Sequence, residues 1–298
     1  MADKRMMLLI NPNAGRGGYK NALGGVLESF CAGGWQPTVY FTRKAGEAPG
    51  LVSEHAAEYD MVVCMGGDGT LSETCAGMMR LPLDVRRPVG YIPLGTTNDV
   101  ARTLGISPRP AIAARNLLSG GPYPYDVGQF GPDRFFTYVA AFGAFTEVSY
   151  ATPHEVKQAL GHLAYMLEGL RRLGSIRDCH AVVEHDGGSF EGDFIFGAVT
   201  NATSVAGLVR LDSEKVDLSD GMFEALFVRR PADILKFGEL VTSILSGDVS
   251  GGEVVFLKSR EIRVIFDTPE AWTLDGEDGG THRDVLIQNC HPGVTLII

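Results

Sequence analysis

The chain has 298 residues, is 45% hydrophobic and 21% charged, and carries a formal net charge of −10. That length suits about two domains, and that apolar content excludes global disorder. The acidic balance argues against nucleic acid as a partner, and no apolar run reaches the ~18 residues of a membrane span.

In chain order, the first apolar run, Met6–Ile10, is stopped at once by Asn11-Pro12 and is too short for a signal-peptide core. Met7–Ile10 is expected as a strand, Tyr19–Ala32 as a helix, Thr38–Thr42 as a strand and Glu47–Glu58 as a helix. The β-branched run Met61–Met65 is the next strand, and Leu71, Thr74, Cys75 and Met78 then recur at helical spacing. Pro88–Pro93 is a further short strand, followed by a helix over Thr97–Leu104. This alternation predicts a parallel α/β sheet with ligands at the carboxyl ends of its strands.

The rhythm changes near Tyr125. Strands are expected at Val127–Phe130, Phe135–Phe142, Ala181–Glu184, Gly192–Thr200, Gly221–Val228, Glu253–Lys258, Glu261–Phe266 and Trp272–Leu274. Turn signals such as Asp186-Gly187-Gly188, Ser219-Asp220-Gly221 and Asp278-Gly279-Gly280 punctuate them. The division is therefore 1–125 as an α/β domain and 126–298 as an all-β domain, with a last strand at 291–298 open to a return to the first domain. One helix, 155–173, interrupts the second domain with Val156, Leu160, Leu163, Leu167 and Leu170 on one stripe. Arg171, Arg172 and Arg177 near its end could face anionic headgroups, at only ~1 kcal/mol per charge, so such docking would be reversible. Five cysteines, odd in number and without C-x-x-C spacing, read as reduced thiols in a cytoplasm. Residues 1–125 hold 12 Lys/Arg and 10 Asp/Glu, against 14 and 26 beyond, so the first domain is the better host for a polyphosphate.

Three glycine-containing turns end successive strands of the first domain. They are Asn11-Pro12-Asn13-Ala14-Gly15-Arg16-Gly17-Gly18, Gly66-Gly67-Asp68-Gly69-Thr70 and Pro93-Leu94-Gly95-Thr96-Thr97-Asn98-Asp99. Each alone is an ordinary structural turn. On one sheet edge they predict a nucleotide site, because glycine lets a ligand approach the backbone and a helix start favours phosphate. Asp68 is out of place in a turn that only grips phosphate, and points to a metal or a reacting hydroxyl. A second acidic pair, Asp275 and Glu277 around Gly276, can turn both carboxylates to one cavity; a solvated hairpin is the plain alternative. The stretch "KVDLSDGMFEA" reads by itself as an ordinary Asp-Gly hairpin turn.

The segments "NPNAG", "GGDGTLSE", "PLGTTNDVA", "LGHLAYMLEGL" and "LDGED", in this order, give the chain a resemblance to the diacylglycerol kinase catalytic family, which includes bacterial lipid kinases and is related to sphingosine kinases. NAD kinases and phosphofructokinase-like enzymes share turns like GGDGT. NAD kinases usually carry an Asn-Thr-Asp-Asn type segment beyond it, where this chain has Gly-Thr-Thr-Asn-Asp. Ala14 stands where the family commonly has Ser, and Ser72 where Asn is common.

The resemblance implies an α/β domain with a parallel, Rossmann-like sheet of the NAD kinase/phosphofructokinase kind and a C-terminal all-β sandwich with an inserted helix. It implies a Mg²⁺- and ATP-dependent lipid kinase acting on a hydroxyl of diacylglycerol or a related lipid. ATP would lie in the cleft between domains, held by Asn11, Pro12, Asn13, Ala14 and Gly15 and by Gly66, Gly67, Asp68, Gly69, Thr70, Leu71, Ser72 and Glu73, with hydroxyls from Thr42 and Thr96. Asp68 would help hold the catalytic Mg²⁺. The base would come from the LDGED segment, Glu277 by preference with Asp275 in support, although the sequence does not separate them. The Asp220 carboxylate, with main-chain oxygens of Asp217 and Met222, would hold a second, structural Mg²⁺. The enzyme would be cytoplasmic and visit the membrane surface transiently for its lipid, with no nucleic-acid partner and with a homodimer left open. Its rivals are a kinase of phosphatidylglycerol, a long-chain base or ceramide, an NAD kinase, and a non-catalytic nucleotide-binding regulator.

Overall fold

A computed structural model describes residues 4–96, 98–143, 177–202, 204–205, 209–210, 217–233, 236, 238–240 and 252–298. The helix expected at 155–173 lies outside the described residues. Thirteen strands join one continuous sheet. In chain order the first half holds β1 (Lys4–Ile10), α1 (Tyr19–Ala32), β2 (Trp35–Phe41), α2 (Ala48–His55), β3 (Met61–Gly66), α3 (Asp68–Met79), β4 (Val89–Pro93), α4 (Asp99–Thr103) and α5 (Pro110–Ser119). Strands β4, β3, β1 and β2 lie side by side in that order, and each pair is parallel. Alternate residues of β1 explain why both faces must be covered. Met6, Leu8 and Ile10 pack with Val26 and Phe30 of α1 and with Ala113, Ala114 and Leu117 of α5. Met7 and Leu9 pack on the other face with Val52 of α2 and with Leu71, Cys75 and Met78 of α3. A strand buried on both faces reads as a continuous apolar run, as this one does.

The second half holds β5 (Pro122–Phe130), β6 (Arg134–Phe136), β7 (Val139–Gly143), β8 (Cys179–His185), β9 (Gly188–Thr200), the short pair β10 (Ser204–Val205) and β11 (Val209–Arg210), then β12 (Phe223–Arg229), β13 (Val254–Ser259), β14 (Glu261–Leu274) and β15 (Glu277–Ile297). Where a sandwich is expected, four of these strands close into a ring. Strand β9 pairs with β7, β7 with β14, β14 with β8, and β8 with β9. The ring is possible because β14 serves two neighbours along its length: residues 262–266 pair with β8 and residues 272–274 with β7. Between them the pairing with β15 shifts register across Pro269, as expected of a residue without an N–H at a bulge. The ring is packed with Phe142, Phe194, Phe227, Phe266 and Trp272. Some of these rings meet edge-on, as Phe142 and Phe266 do at 4.9 Å.

Strand β15 reaches both halves. It starts as the hairpin partner of β14, runs antiparallel to β5, and ends with Leu296 and Ile297 paired in parallel with Val89 and Gly90 of β4. The Asp278-Gly279-Gly280 signal that read as a turn sits at a register shift inside this one strand, and Pro292-Gly293 lies at a second.

Candidate active site

The three turns end β1, β3 and β4, which are adjacent in the sheet, so they meet on its carboxyl edge. They are close enough to need glycine. Gly15 has φ +55 and its α-carbon faces the Leu94 carbonyl so nearly that a side chain would collide with it. A Cβ on Gly95 would lie 2.8 Å from the Gly67 α-carbon. One side-chain and one backbone bond then tie the turns together: Asn11 Nδ2 donates to Thr70 Oγ1 at 3.1 Å, and Leu94 N–H donates to Gly66 O at 2.6 Å.

Not every group assigned to the phosphate cradle is available for it. The Asn11 N–H is spent on Met65 O, Asn13 N–H on Asn11 Oδ1, and Ala14 N–H on Asn11 O. Pro12 has no N–H. Thr70 and Leu71 N–H both donate to Gly67 O, and the Leu71 side chain is buried in the core. Glu73 turns away to a structural task, accepting Gly46 and Ala48 N–H at 2.8 and 3.2 Å and so fixing the start of α2. Ser72 is half-buried. Helix α3 starts at Gly67 without any side chain capping it, which leaves the first-turn amides beside Gly67, Asp68 and Gly69 as the donors suited to an anion. Thr42 is buried at the end of β2, its N–H bound to Ile10 O, and Thr96 is exposed in the third turn.

Asp68 is the first residue of α3 and half-buried. Its Oδ2 accepts Asp99 N–H at 2.8 Å, and its Oδ1 accepts Val100 N–H at 3.3 Å and stands 3.5 Å from the Tyr91 hydroxyl. It thereby caps α4, whose own N-cap, Asn98, has φ 48 and makes no side-chain cap bond. Burial pushes the Asp68 carboxyl up; the two amides pull it down, and Asp99 and Asp275 push it further up. Asp99 is raised in turn, chiefly by burial. Among the described residues no group of three His, Cys, Asp or Glu side chains could hold a metal ion. Asp68 and Asp99 form a partly buried pair of carboxylates, and Mg²⁺ commonly takes one or two carboxylates and completes its shell with phosphate and water. Asp99, Asn98 and Tyr91 were not singled out from the sequence as site residues. The signal was present for the first two, in the polar end of "GTTND".

The hairpin between β14 and β15 carries the second acidic pair into this corner. Asp275 has φ 50, and its carboxylate is taken up by four donors: the amides of Thr137, Tyr138 and Val139, each at 2.8 Å, and the Thr137 hydroxyl at 3.1 Å. It fixes the passage from β6 to β7. Glu277, two residues on, is exposed, and its Oε1 is 3.9 Å from where a Cβ on Gly69 would be. Glu277 thus stands over the phosphate turn.

The 217–222 loop is built elsewhere. Asp217 Oδ1 accepts the Ser219 N–H and hydroxyl, and Asp220 Oδ1 accepts Met222 N–H at 2.9 Å. The loop is held from outside by Asp126, fully buried on β5, which accepts Gly221 N–H and a 2.7 Å contact from His291 Nδ1. Asn289 Nδ2 donates to Met222 O, and Asn201 Nδ2 donates to the main chain of Asp126. The side-chain oxygens of Asn201 and Asn289 are buried and without a hydrogen-bond donor, which fits a water or a hard cation nearby. Asp126 is the residue sequence reading missed here; a lone acid inside "YPYDVGQF" was its only signal. Asp220→Ala is expected to lower Tm by a few degrees and to flatten the dependence of Tm on added Mg²⁺. Equal melting of wild type and variant across Mg²⁺ concentrations would leave the loop as a hairpin held by hydrogen bonds.

Comparison with known proteins gives a consistent picture. Residues 5–130 match the family described as the diacylglycerol kinase catalytic domain. Over 281 residues the chain is 36% identical to a diacylglycerol kinase of Bacillus subtilis (strain 168), covering 93% of this chain and 91% of that protein. It is 31% identical to a diacylglycerol kinase of Staphylococcus carnosus (strain TM300), covering 93% and 90%. A solved diacylglycerol kinase structure from Bacillus anthracis str. Sterne superposes with a TM-score of 0.78 at 24% identity, over 100% of this chain and 98% of that one.

Proposed function

This chain belongs to the diacylglycerol kinase family and is a lipid kinase, and on that premise we propose that it transfers the γ-phosphate of ATP to a hydroxyl of diacylglycerol, giving phosphatidic acid. The observation that carries the reading is the position of Glu277 over Gly69 while Asp275 is occupied by four donors. Of the two acids in LDGED, Glu277 is the one with a carboxylate free to take a proton.

The division of labour follows. The first-turn amides of α3 hold phosphate in a crevice bordered by residues 1–125, read as a nucleotide-binding domain with a Rossmann-like sheet. Residues 126–298 supply the lipid side. Asp68, with Asp99 beside it, would hold Mg²⁺, which when bound would neutralise charge on the transferring phosphate. Glu277 accepts the proton of the lipid hydroxyl as its oxygen forms the new bond to phosphorus and the bond to ADP breaks. Asp275 keeps Glu277 in place by fixing the hairpin and the 137–139 backbone. Such catalysis is mainly positioning and charge neutralisation. No helix among the described residues is long and apolar enough to cross a membrane, so the lipid would be met by reversible contact at the membrane surface from the cytoplasm.

Labelled ATP offered with mixed micelles of diacylglycerol, phosphatidylglycerol, a long-chain base or ceramide tests the acceptor. Label is expected in phosphatidic acid. Transfer to one of the other lipids alone would replace the acceptor and leave the site reading standing. Transfer to none of them, with nucleotide bound, would favour a regulator.

A further inference from the structure

We infer that Tyr91 is a positioning residue for Asp68, and that its hydroxyl sets how strongly nucleotide binding depends on Mg²⁺; this rests on the metal-holding role proposed above for Asp68. Tyr91 lies on β4 and is 1% exposed, packed in the core shared with α3. Its hydroxyl emerges from that core between two of the three turns. It stands 3.2 Å from Asn98 Oδ1 in the third turn and 3.5 Å from Asp68 Oδ1 in the second.

A phenol has one hydrogen to give, and here two acceptors are in reach of it. A phenol, with an ordinary pKa of about 10, is a donor at neutral pH. The two oxygens of Asp68 are not held alike. Oδ2 is fixed by Asp99 N–H at 2.8 Å, whereas both contacts to Oδ1, from Val100 N–H and Tyr91, are 3.3 Å or longer. Oδ1 is therefore the oxygen with lone-pair capacity to spare for a cation. Asn98 is bound at its other end through Nδ2 to Gly95 O at 2.6 Å, which leaves its Oδ1 turned to Tyr91. A carboxylate oxygen has more than one lone-pair direction, so a cation can draw on one while the phenol, steadied by Asn98, keeps to another; the hydroxyl thus aims Oδ1 at the cation in the loaded protein.

Tyr91→Phe keeps the packing volume and removes only the hydroxyl. Calorimetric binding of ADP, with and without Mg²⁺, is compared for wild type, Tyr91→Phe, Asp68→Asn and the double variant, together with unliganded Tm. For Tyr91→Phe we expect Tm within a few degrees of wild type, metal-free ADP affinity unchanged, and Mg²⁺-dependent affinity reduced roughly 3- to 10-fold, the scale of one lost hydrogen bond. In the Asp68→Asn background the same change should have little further effect, since the two act through one group. Wild-type Mg²⁺ dependence in Tyr91→Phe, or an equal effect in both backgrounds, would overturn the inference while leaving Asp68 as the metal residue. A parallel fall in Tm and metal-free affinity would assign Tyr91 to packing alone and overturn it also. If Asp68→Asn itself leaves Mg²⁺ dependence unchanged, the role proposed for Asp68 fails, and the inference about Tyr91 with it.

Discussion

Glu277→Gln is expected to lower kcat by roughly two to four powers of ten, the usual range for a general base, with ATP affinity nearly unchanged. Glutamine keeps the shape of the side chain and removes its capacity to take a proton. Glu277 is exposed and its side chain has no hydrogen bond or ion pair among the described residues, so its loss should be felt in the transition state and not in the ground state. Unchanged KM for ATP, unchanged Tm and a collapsed kcat is the pattern that assigns proton transfer to Glu277. A variant that phosphorylates lipid at near the wild-type rate would remove Glu277 from the chemistry.

Asp275→Asn should fail in a different way. Three backbone N–H groups and a hydroxyl converge on this carboxylate. A carboxamide would turn an NH₂ group toward at least one of those donors. Hydrogen bonds to a charged group are worth ~1.5–3 kcal/mol each. With water able to reach part of the site, we expect a loss of about 2–4 kcal/mol and a Tm lower by roughly 3–6 °C. Activity should fall along with it, because Thr137–Val139 and the hairpin carrying Glu277 lose their common anchor. Thermal melting and single-turnover rates measured on one preparation distinguish the two acids. If Asp275→Asn melts with the wild type yet abolishes turnover, while Glu277→Gln stays active, Asp275 is the base and the assignment is reversed.

The sequence carried the first half of the fold well. Buried parallel strands are continuous apolar runs and their helices are amphipathic, so Met61–Met65 and Tyr19–Ala32 are legible from local pattern. Helix α5 was overlooked, although Pro110 at its start and Ala113, Ala114 and Leu117 on one face mark it. Strand β5 was read five residues too short because Pro122 and Pro124 look like breakers. Both pair with β15 on one side only, alongside Ile297 and Thr295, where an absent N–H is tolerated. Of strand β15 only the last part, at 291–298, was read, because Asp278-Gly279-Gly280 looks like a turn and a bulge uses the same residue types.

The site shows the same limit. Which turns gather at the sheet edge could be read from glycine and spacing. Which amides in those turns are already spent could not, because Asn11 and Gly67 satisfy them through contacts whose partners are fixed only when the turns close. Asp275 and Glu277 are alike on paper. They are separated by the 137–139 backbone, which is distant in sequence. Tyr91 sits inside an ordinary apolar strand, and nothing in "VGYIP" announces where its hydroxyl points.

The pairing of Leu296 with Val89 has a consequence for how the protein is made. A ribosome releases β4 long before it releases residue 296. Until then β4 presents an open parallel edge next to β3, and β5 lacks the strand along which it is zipped. The amino-terminal half can collapse early, but its sheet cannot be completed until the carboxyl-terminal strand arrives and threads past the hairpin that carries Glu277. Contacts of such long sequence separation slow folding, and an unpaired edge held open during synthesis invites association between nascent chains. The strand that carries Glu277, the proposed base, is thus also the one whose late arrival closes the sheet, which ties the placing of that carboxylate to the pairing of residues 296 and 297 with β4.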